Sequence, residues 1–182
     1  MALETRRLDN VPIFAAGTHN GDGYTRRDLD MMVQAFNTMT ADGTWRPFLK
    51  LGHEDAQEDP EVATRVFGVP ALGYVSKLWR AGDFLFANFE KVPKRVAEII
   101  EAGAFSARSA EVFWDYVDRF GRKWPRALKA VAFLGAQIPA VENLSTLESL
   151  FYQRQQAVHA YARDAVLYAE DEWGRKYTLR KV

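Results

Sequence analysis

The sequence contains no cysteine. Disulfide bonds, thiolate zinc sites and cysteine nucleophiles are therefore excluded. It also has no apolar run near the ~18 residues that a membrane-spanning helix requires. The 24 basic and 24 acidic side chains balance to a net charge of zero, whereas a protein that coats nucleic acid usually carries a basic excess. We therefore expect a soluble intracellular protein with no membrane anchor and no specific nucleic-acid binding.

The elements that the sequence does indicate are typical of an α+β fold. Helical spacing follows Thr25, whose hydroxyl can form a capping box with Asp28, and again follows Pro93. Short strand-like runs are found at 11–16, 48–51, 72–79, 84–89, 105–117 and 128–134. These runs do not alternate regularly with helices, which favours an α+β arrangement. We predict a small, mainly antiparallel β-barrel surrounded by helices.

The C-terminal part of the chain differs from what precedes it. Residues 145–168 have the apolar spacing of a helix, but the middle of this stretch, 153–156, is very polar. Such a helix is expected to be peripheral or to pack on a partner. We therefore predict a domain at 1–144 and a C-terminal helix and tail at 145–182, whose basic end is an interaction or tether segment.

Three histidines limit the search for a general base. They are His19, His53 and His159. An imidazole is the usual group for removing a hydroxyl proton near neutral pH. His53 follows the short strand at 48–51, a rigid element, and so is the best placed of the three, although a histidine there is often only a polar residue at a strand edge.

The nucleophile that would accompany such a base is a hydroxyl, because no thiol exists. Ser106 and Ser109 lie close together in the stretch 103–112, which lacks the G-x-S-x-G pattern of a nucleophile elbow. If this stretch is a strand, Ser109 and Glu111 share one face. The residues alone indicate a histidine and a serine as candidates, and they do not show that the two side chains lie close together in the fold.

Three blocks read together resemble the prohead proteases of tailed phages, in particular the Mu-like branch of the herpesvirus-assemblin-like serine proteases. The blocks are FLKLGH at 48–53, GAFSARSAEV at 103–112 and LKAVAFLGAQIPAV at 128–141, with IFAAGTH at 13–19 and ALGYV at 71–75 in support. The resemblance covers roughly residues 10–145, and the order and spacing of the blocks are its specific part.

The resemblance implies a serine endopeptidase with Ser109 as nucleophile and His53 as general base, and Ser106 is the fallback nucleophile. Backbone N–H groups near Gly135 and Ala136 are the expected oxyanion donors. The third catalytic residue stays open, because the strand after the serine has neither the acid nor the second histidine of related enzymes. Either another acid such as Glu111 orients His53, or the enzyme works as a dyad.

The resemblance also implies a biological setting. The expected substrates are the scaffold and major capsid proteins of a phage and the chain itself, cleaved in the host cytoplasm within the assembling prohead. A homo-oligomer is expected, with no cofactor and no metal.

Two alternatives remain for the function. One is a catalytically silent assembly or scaffolding protein on the same fold, which the unassigned third residue favours. The other is a metal-dependent hydrolase, since the acidic stretch after His53, at 54–59, is rich in carboxylates that could hold a hard divalent ion.

Overall fold

A computed structural model describes residues 4–52, 71–135, 144, 167–170 and 176–179. The chain divides into two units, Met1–Glu148 and Ser149–Val182. Within the described ranges, no helix is both long enough and apolar enough to cross a membrane.

The first unit is built on a six-stranded sheet. Its described strands are β1 (Thr5–Ala15), β2 (Gly17–His19), β3 (Asp22–Tyr24), β4 (Phe48–Leu51), β5 (Tyr74–Ala81), β6 (Phe84–Pro93), β7 (Ala107–Val117) and β8 (Lys123–Leu134), and its described helices are α1 (Arg26–Ala41) and α2 (Lys94–Glu101). The strand order in the sheet is β1-β6-β5-β4-β8-β7. Neighbouring strands are antiparallel except for β4 and β8, which are parallel. The predicted α+β class is confirmed.

The predicted barrel is not supported, because the sheet is open. β1 and β7 are its two edges, and no backbone ladder joins them within the described residues. One side chain does link the edges: Nε of Arg108 on β7 donates a hydrogen bond to the carbonyl oxygen of Pro12 on β1. Alternation of apolar residues indicates which face of a strand is buried, and it does not indicate whether two edges pair. The sequence therefore could not decide between a closed and an open sheet.

Helix α1 begins as the sequence predicts and packs on one face of the sheet. The backbone N–H of Thr25 donates to Asp28 Oδ2 at 2.7 Å, and the N–H of Asp28 donates to Thr25 Oγ1 at 3.2 Å, which completes the capping box. The buried side chains of the helix are Leu29, Met32, Ala35, Phe36 and Met39. Near its C-terminal end the helix packs against Ala127 of β8 and Phe113 of β7.

The hairpins of the first unit turn at glycines and polar residues. The strand-like runs predicted at 72–79 and 84–89 correspond to β5 and β6, which pair antiparallel across a turn that contains Gly82. β2 and β3 also pair antiparallel, with Gly17 opposite Tyr24. The glycines and polar residues that favour a loop here are also those that a short hairpin uses.

The described part of the second unit is a β-hairpin. β9 (Leu167–Glu170) and β10 (Lys176–Leu179) pair antiparallel. The predicted helix at 145–168 is therefore wrong at its last two residues, and residues 145–166 lie outside the described residues. The basic end, expected to be a tether, contributes a strand, and the aromatic and β-branched residues Tyr177 and Thr178 suit this conformation.

Gly73, just before β5, lies close to the backbone of β6 and hydrogen-bonds to β4. Its φ is 133°, and a Cβ added there would lie 2.8 Å from Val92 Cγ2 and 3.0 Å from the carbonyl oxygen of Glu90. The carbonyl of Gly73 accepts a hydrogen bond from the N–H of Leu49 at 2.9 Å. Only glycine combines this backbone conformation with this close approach.

We expect Gly73→Ala to lower the free energy of unfolding by about 2 kcal/mol, because it adds both backbone strain and a steric clash. Urea unfolding of the full chain measures the loss. Gly82→Ala is the matched control, since Gly82 also has a positive φ of 60° but no atom within 4 Å of its added Cβ. An equal loss in the two variants would contradict the importance of the close approach.

Candidate functional site

Ser109 lies in a row of residues that crosses three strands. It pairs with Ala132 on β8, and Ala132 pairs with Lys50 on β4. Residues opposite one another on neighbouring strands project to the same face of the sheet. Ser109 is 4% exposed and Lys50 is 2% exposed. The row therefore places a serine and a lysine on one face, both buried, with only a methyl group between them in the row.

Glu111 occupies the next row on the same face. It pairs with Ala130, which in turn pairs with Phe48. Because β7 alternates without interruption from Arg108 to Glu111, Ser109 and Glu111 project together, and the predicted shared face is confirmed.

Lys50 and Glu111 form an ion pair across the intervening strand. Nζ of Lys50 is 2.6 Å from Oε1 of Glu111, and the two side chains are 3% and 21% exposed. The lysine belongs to β4 and the glutamate to β7, so the lysine side chain reaches over β8. Ala132 and Ala130 have side chains small enough to leave that path open. The pair thus lies on the Ser109 face of the sheet.

A β-bulge brings a second lysine to Glu111. Glu111 is opposite Ala130 and Val112 is opposite Leu128, so Lys129 has no partner of its own on β7. A bulge re-aims a side chain, and Nζ of Lys129 lies 3.5 Å from Oε2 of Glu111. The indole N–H of Trp45 donates to the carbonyl oxygen of Lys129 at 3.1 Å, which satisfies a backbone group that the bulge removes from regular pairing.

These contacts keep Glu111 ionised. Burial acts to raise the pKa of the Glu111 carboxyl, but the hydrogen bond and charge of Lys50 and the charge of Lys129 together lower that pKa below its ordinary value. Electrostatic interactions are strong here because the groups are largely removed from water.

Arg108 anchors the strand that carries Ser109. Its side chain projects to the opposite face, is almost wholly buried, and bonds the carbonyl oxygen of Pro12 on β1. Burial lowers the pKa of the Arg108 guanidinium to about 10, which leaves it protonated at neutral pH. The hydrogen bond holds β7 beside the other edge of the sheet at the position next to Ser109.

The predicted site residues are only partly described. Ser109 lies within β7, Ser106 lies just before that strand and is half-buried, and Gly135 follows β8. His53, Ala136 and the acidic stretch 54–59 lie outside the described residues, so the Ser109–His53 pairing stays a prediction.

Sequence reasoning missed the role of Lys50. The sequence nevertheless contains a sign of this role. Lys50 interrupts the apolar run 48–51, and a lysine is almost never fully buried unless it is paired. A lysine within a run that is otherwise predicted to be a buried strand therefore indicates a buried partner of opposite charge.

Metal coordination finds no support in the described ranges. No group of three or more histidine, aspartate or glutamate residues there is arranged to hold a metal ion.

Comparison with family models, with curated proteins and with solved structures found no match. The resemblance to prohead proteases therefore stays a prediction, and the arrangement around Ser109 carries the functional argument.

Proposed function

We propose that this chain is a serine-type endopeptidase, with Ser109 as nucleophile and His53 as general base. The observation that carries the proposal is the position of Ser109, held near the start of β7 and on the same face as the Lys50–Glu111 ion pair. A serine hydroxyl is a weak nucleophile unless a base and a fixed charge environment activate it. Fixed charges in a site shielded from water stabilise developing charge more strongly than they would in water.

The proposed reaction is acyl transfer in two steps. His53 accepts the proton of the Ser109 hydroxyl as its oxygen attacks the peptide carbonyl carbon, and backbone N–H groups near Gly135 stabilise the resulting oxyanion. Collapse of this intermediate breaks the C–N bond, and the amine leaves with the proton from His53. Water then hydrolyses the acyl ester with His53 again as base, which regenerates Ser109.

The burial of Ser109 adds a requirement to the mechanism. A nucleophile must be reached by its substrate, yet Ser109 is 4% exposed. A peptide carbonyl must approach to about 3–3.5 Å before attack. The site must therefore open to admit substrate, which suits an enzyme whose activity is restricted to one stage of assembly.

The proposed setting is phage head maturation. The proposed substrates are the scaffold and major capsid proteins and the chain itself, cleaved within the prohead in the host cytoplasm. The resemblance of the sequence blocks around His53 and Ser109 to prohead proteases supports this proposal. We propose that the enzyme acts there as a homo-oligomer.

A catalytically silent assembly protein is the second candidate. The observation in its favour is the same burial of Ser109, because a serine that no substrate reaches is an ordinary residue of a sheet.

Inhibition separates these candidates. We expect a small fluorophosphonate, which modifies activated serines, to stop the full chain from cleaving itself and an unfolded casein, while a chelator leaves both reactions unchanged. Cleavage assays with and without each reagent are the measurement. Loss of cleavage with the chelator alone would favour a metal-dependent hydrolase. A chain that neither cleaves nor reacts would favour the assembly protein.

A further inference from the structure

We infer that the tip of the β7–β8 hairpin is a docking surface for an acidic peptide segment that also carries an apolar side chain. The residues of this tip surface are Val117, Arg119, Phe120 and Lys123. The surface lies at the other end of β7 from Ser109, so binding there does not depend on the chemistry of that serine.

The first observation is the exposure of large apolar side chains at the tip. Phe120 is 60% exposed and Val117 is 53% exposed. In the described part of the chain, the exposed large hydrophobic residues are Ile99, Trp114, Val117 and Phe120. Three of these four lie between positions 114 and 120, on an edge strand and the turn that follows it. Exposed apolar side chains that are grouped in this way mark an interaction site, whereas a single one does not.

The second observation is that the tip is held in one conformation. The buried carboxylate of Asp118 accepts hydrogen bonds from the backbone N–H of Phe120 at 2.9 Å and of Arg122 at 3.1 Å. It also accepts one from the indole N–H of Trp124 at 3.0 Å. The guanidinium groups of Arg119 and Arg122 lie 4.9 and 5.0 Å from the centre of the Phe120 ring. An aromatic side chain that is fixed before binding loses little conformational entropy when a partner covers it.

The third observation is the positive charge beside these apolar side chains. Arg122 is compensated by the carboxylates that pair with it. Arg119 instead donates to the backbone carbonyl oxygen of Asp42 at 2.7 Å. Neither Arg119 nor Lys123 forms an ion pair with a described residue. Because Lys123 is opposite Val117 in the hairpin, an uncompensated charge lies next to an exposed apolar side chain.

Together these observations select the chemistry of the partner. A carboxylate can pair with Arg119 or Lys123 while an apolar side chain covers Phe120, which gives the apolar centre and polar rim of a protein interface. A nucleic-acid base would need to stack on the Phe120 ring, where two guanidinium groups already lie. Two copies of the chain joined symmetrically at the tip would bring like charges together. An acidic peptide segment therefore fits the surface best.

Binding of a labelled synthetic peptide of repeated Glu-Glu-Leu units to the full chain, measured by fluorescence anisotropy, tests the inference. We expect binding at about 0.1 M salt and much weaker binding at about 1 M salt, because salt screens exposed charges. Phe120→Ser should weaken binding about tenfold or more, as the loss of an aromatic anchor does. Ile99→Ser is the matched control and should bind as the wild type does, since Ile99 is also exposed but lies on α2.

A double variant tests the charged half of the tip surface. Arg119→Ser combined with Lys123→Ser should weaken binding about tenfold and remove most of its salt dependence. Lys77→Ser combined with Lys91→Ser is the matched control, because it removes the same charge from exposed positions on β5 and β6, and it should keep the wild-type affinity. All of these side chains are exposed and the Asp118 hydrogen bonds remain, so the far-UV circular dichroism should not change.

Three results would overturn the inference. The first is a peptide that does not bind the wild-type chain at the lower salt concentration, or that binds the tip variants and their controls equally. The second is a labelled single-stranded deoxythymidine oligonucleotide that binds more tightly than the peptide and loses its binding in Phe120→Ser. The third is an oligomeric wild-type chain that light scattering shows to be monomeric in Phe120→Ser, which would assign the tip to contacts between copies.

Discussion

Ser109→Ala is expected to reduce peptide cleavage by about 10⁴–10⁶-fold, the loss seen when the nucleophile of a serine protease is removed. The fold should persist, since alanine keeps all but one oxygen of a small side chain and Ser109 lies in a regular part of β7. Self-cleavage and casein cleavage measure the activity, and urea unfolding measures the stability.

Ser106→Ala is the control for this experiment, because Ser106 lies in the same sequence block but before the strand. It should cleave at the wild-type rate. Full activity in Ser109→Ala together with loss in Ser106→Ala would transfer the nucleophile to Ser106. His53→Ala should be as inactive as Ser109→Ala, and an active His53→Ala would remove the proposed base.

The largest loss of stability is expected for Arg108→Ala, about 3 kcal/mol. Truncation leaves a cavity in the place of one of the largest fully buried side chains of the first unit. It also removes the donor that bonds the Pro12 carbonyl, the contact that links the two edges of the sheet. Relief of the buried charge offsets part of this loss, because burial already disfavours the protonated guanidinium.

Arg108→Met is the matched variant for that measurement. It retains most of the buried volume and removes the charge and the hydrogen bond, so it should lose clearly less stability than Arg108→Ala. Urea unfolding of both variants and of the wild type gives the comparison. Unchanged stability in Arg108→Ala would show that the contact between the edges of the sheet is not needed for the fold.

Local chemistry made much of the fold predictable. The capping box of Thr25, the hairpin around Gly82 and the strand that carries Ser109 each depend on residues close together in the chain. The shared face of Ser109 and Glu111 was predictable for the same reason, since it needs only the two-residue alternation of a strand.

Other features depend on residues far apart in the chain and were not predictable. Whether β1 and β7 close into a barrel depends on the curvature of the whole sheet. The partner of Lys50 could not be found without knowing that β4 lies parallel to β8 and that Ala132 brings Ser109 into its row. The approach of Lys129 to Glu111 depends on a single bulge, which no pattern of apolar residues reveals.

The central claim is that Ser109 is the activated nucleophile, and locating a covalent adduct tests it most directly. Trypsin cleavage after Arg108 places Ser106 in the peptide 96–108 and Ser109 in the peptide 109–119, where it is the only serine. After reaction of the full chain with a fluorophosphonate, mass spectrometry should find the adduct on 109–119 in the wild type and no adduct on that peptide in His53→Ala. An adduct on 96–108, or equal labelling of wild type and His53→Ala, would contradict the proposed site.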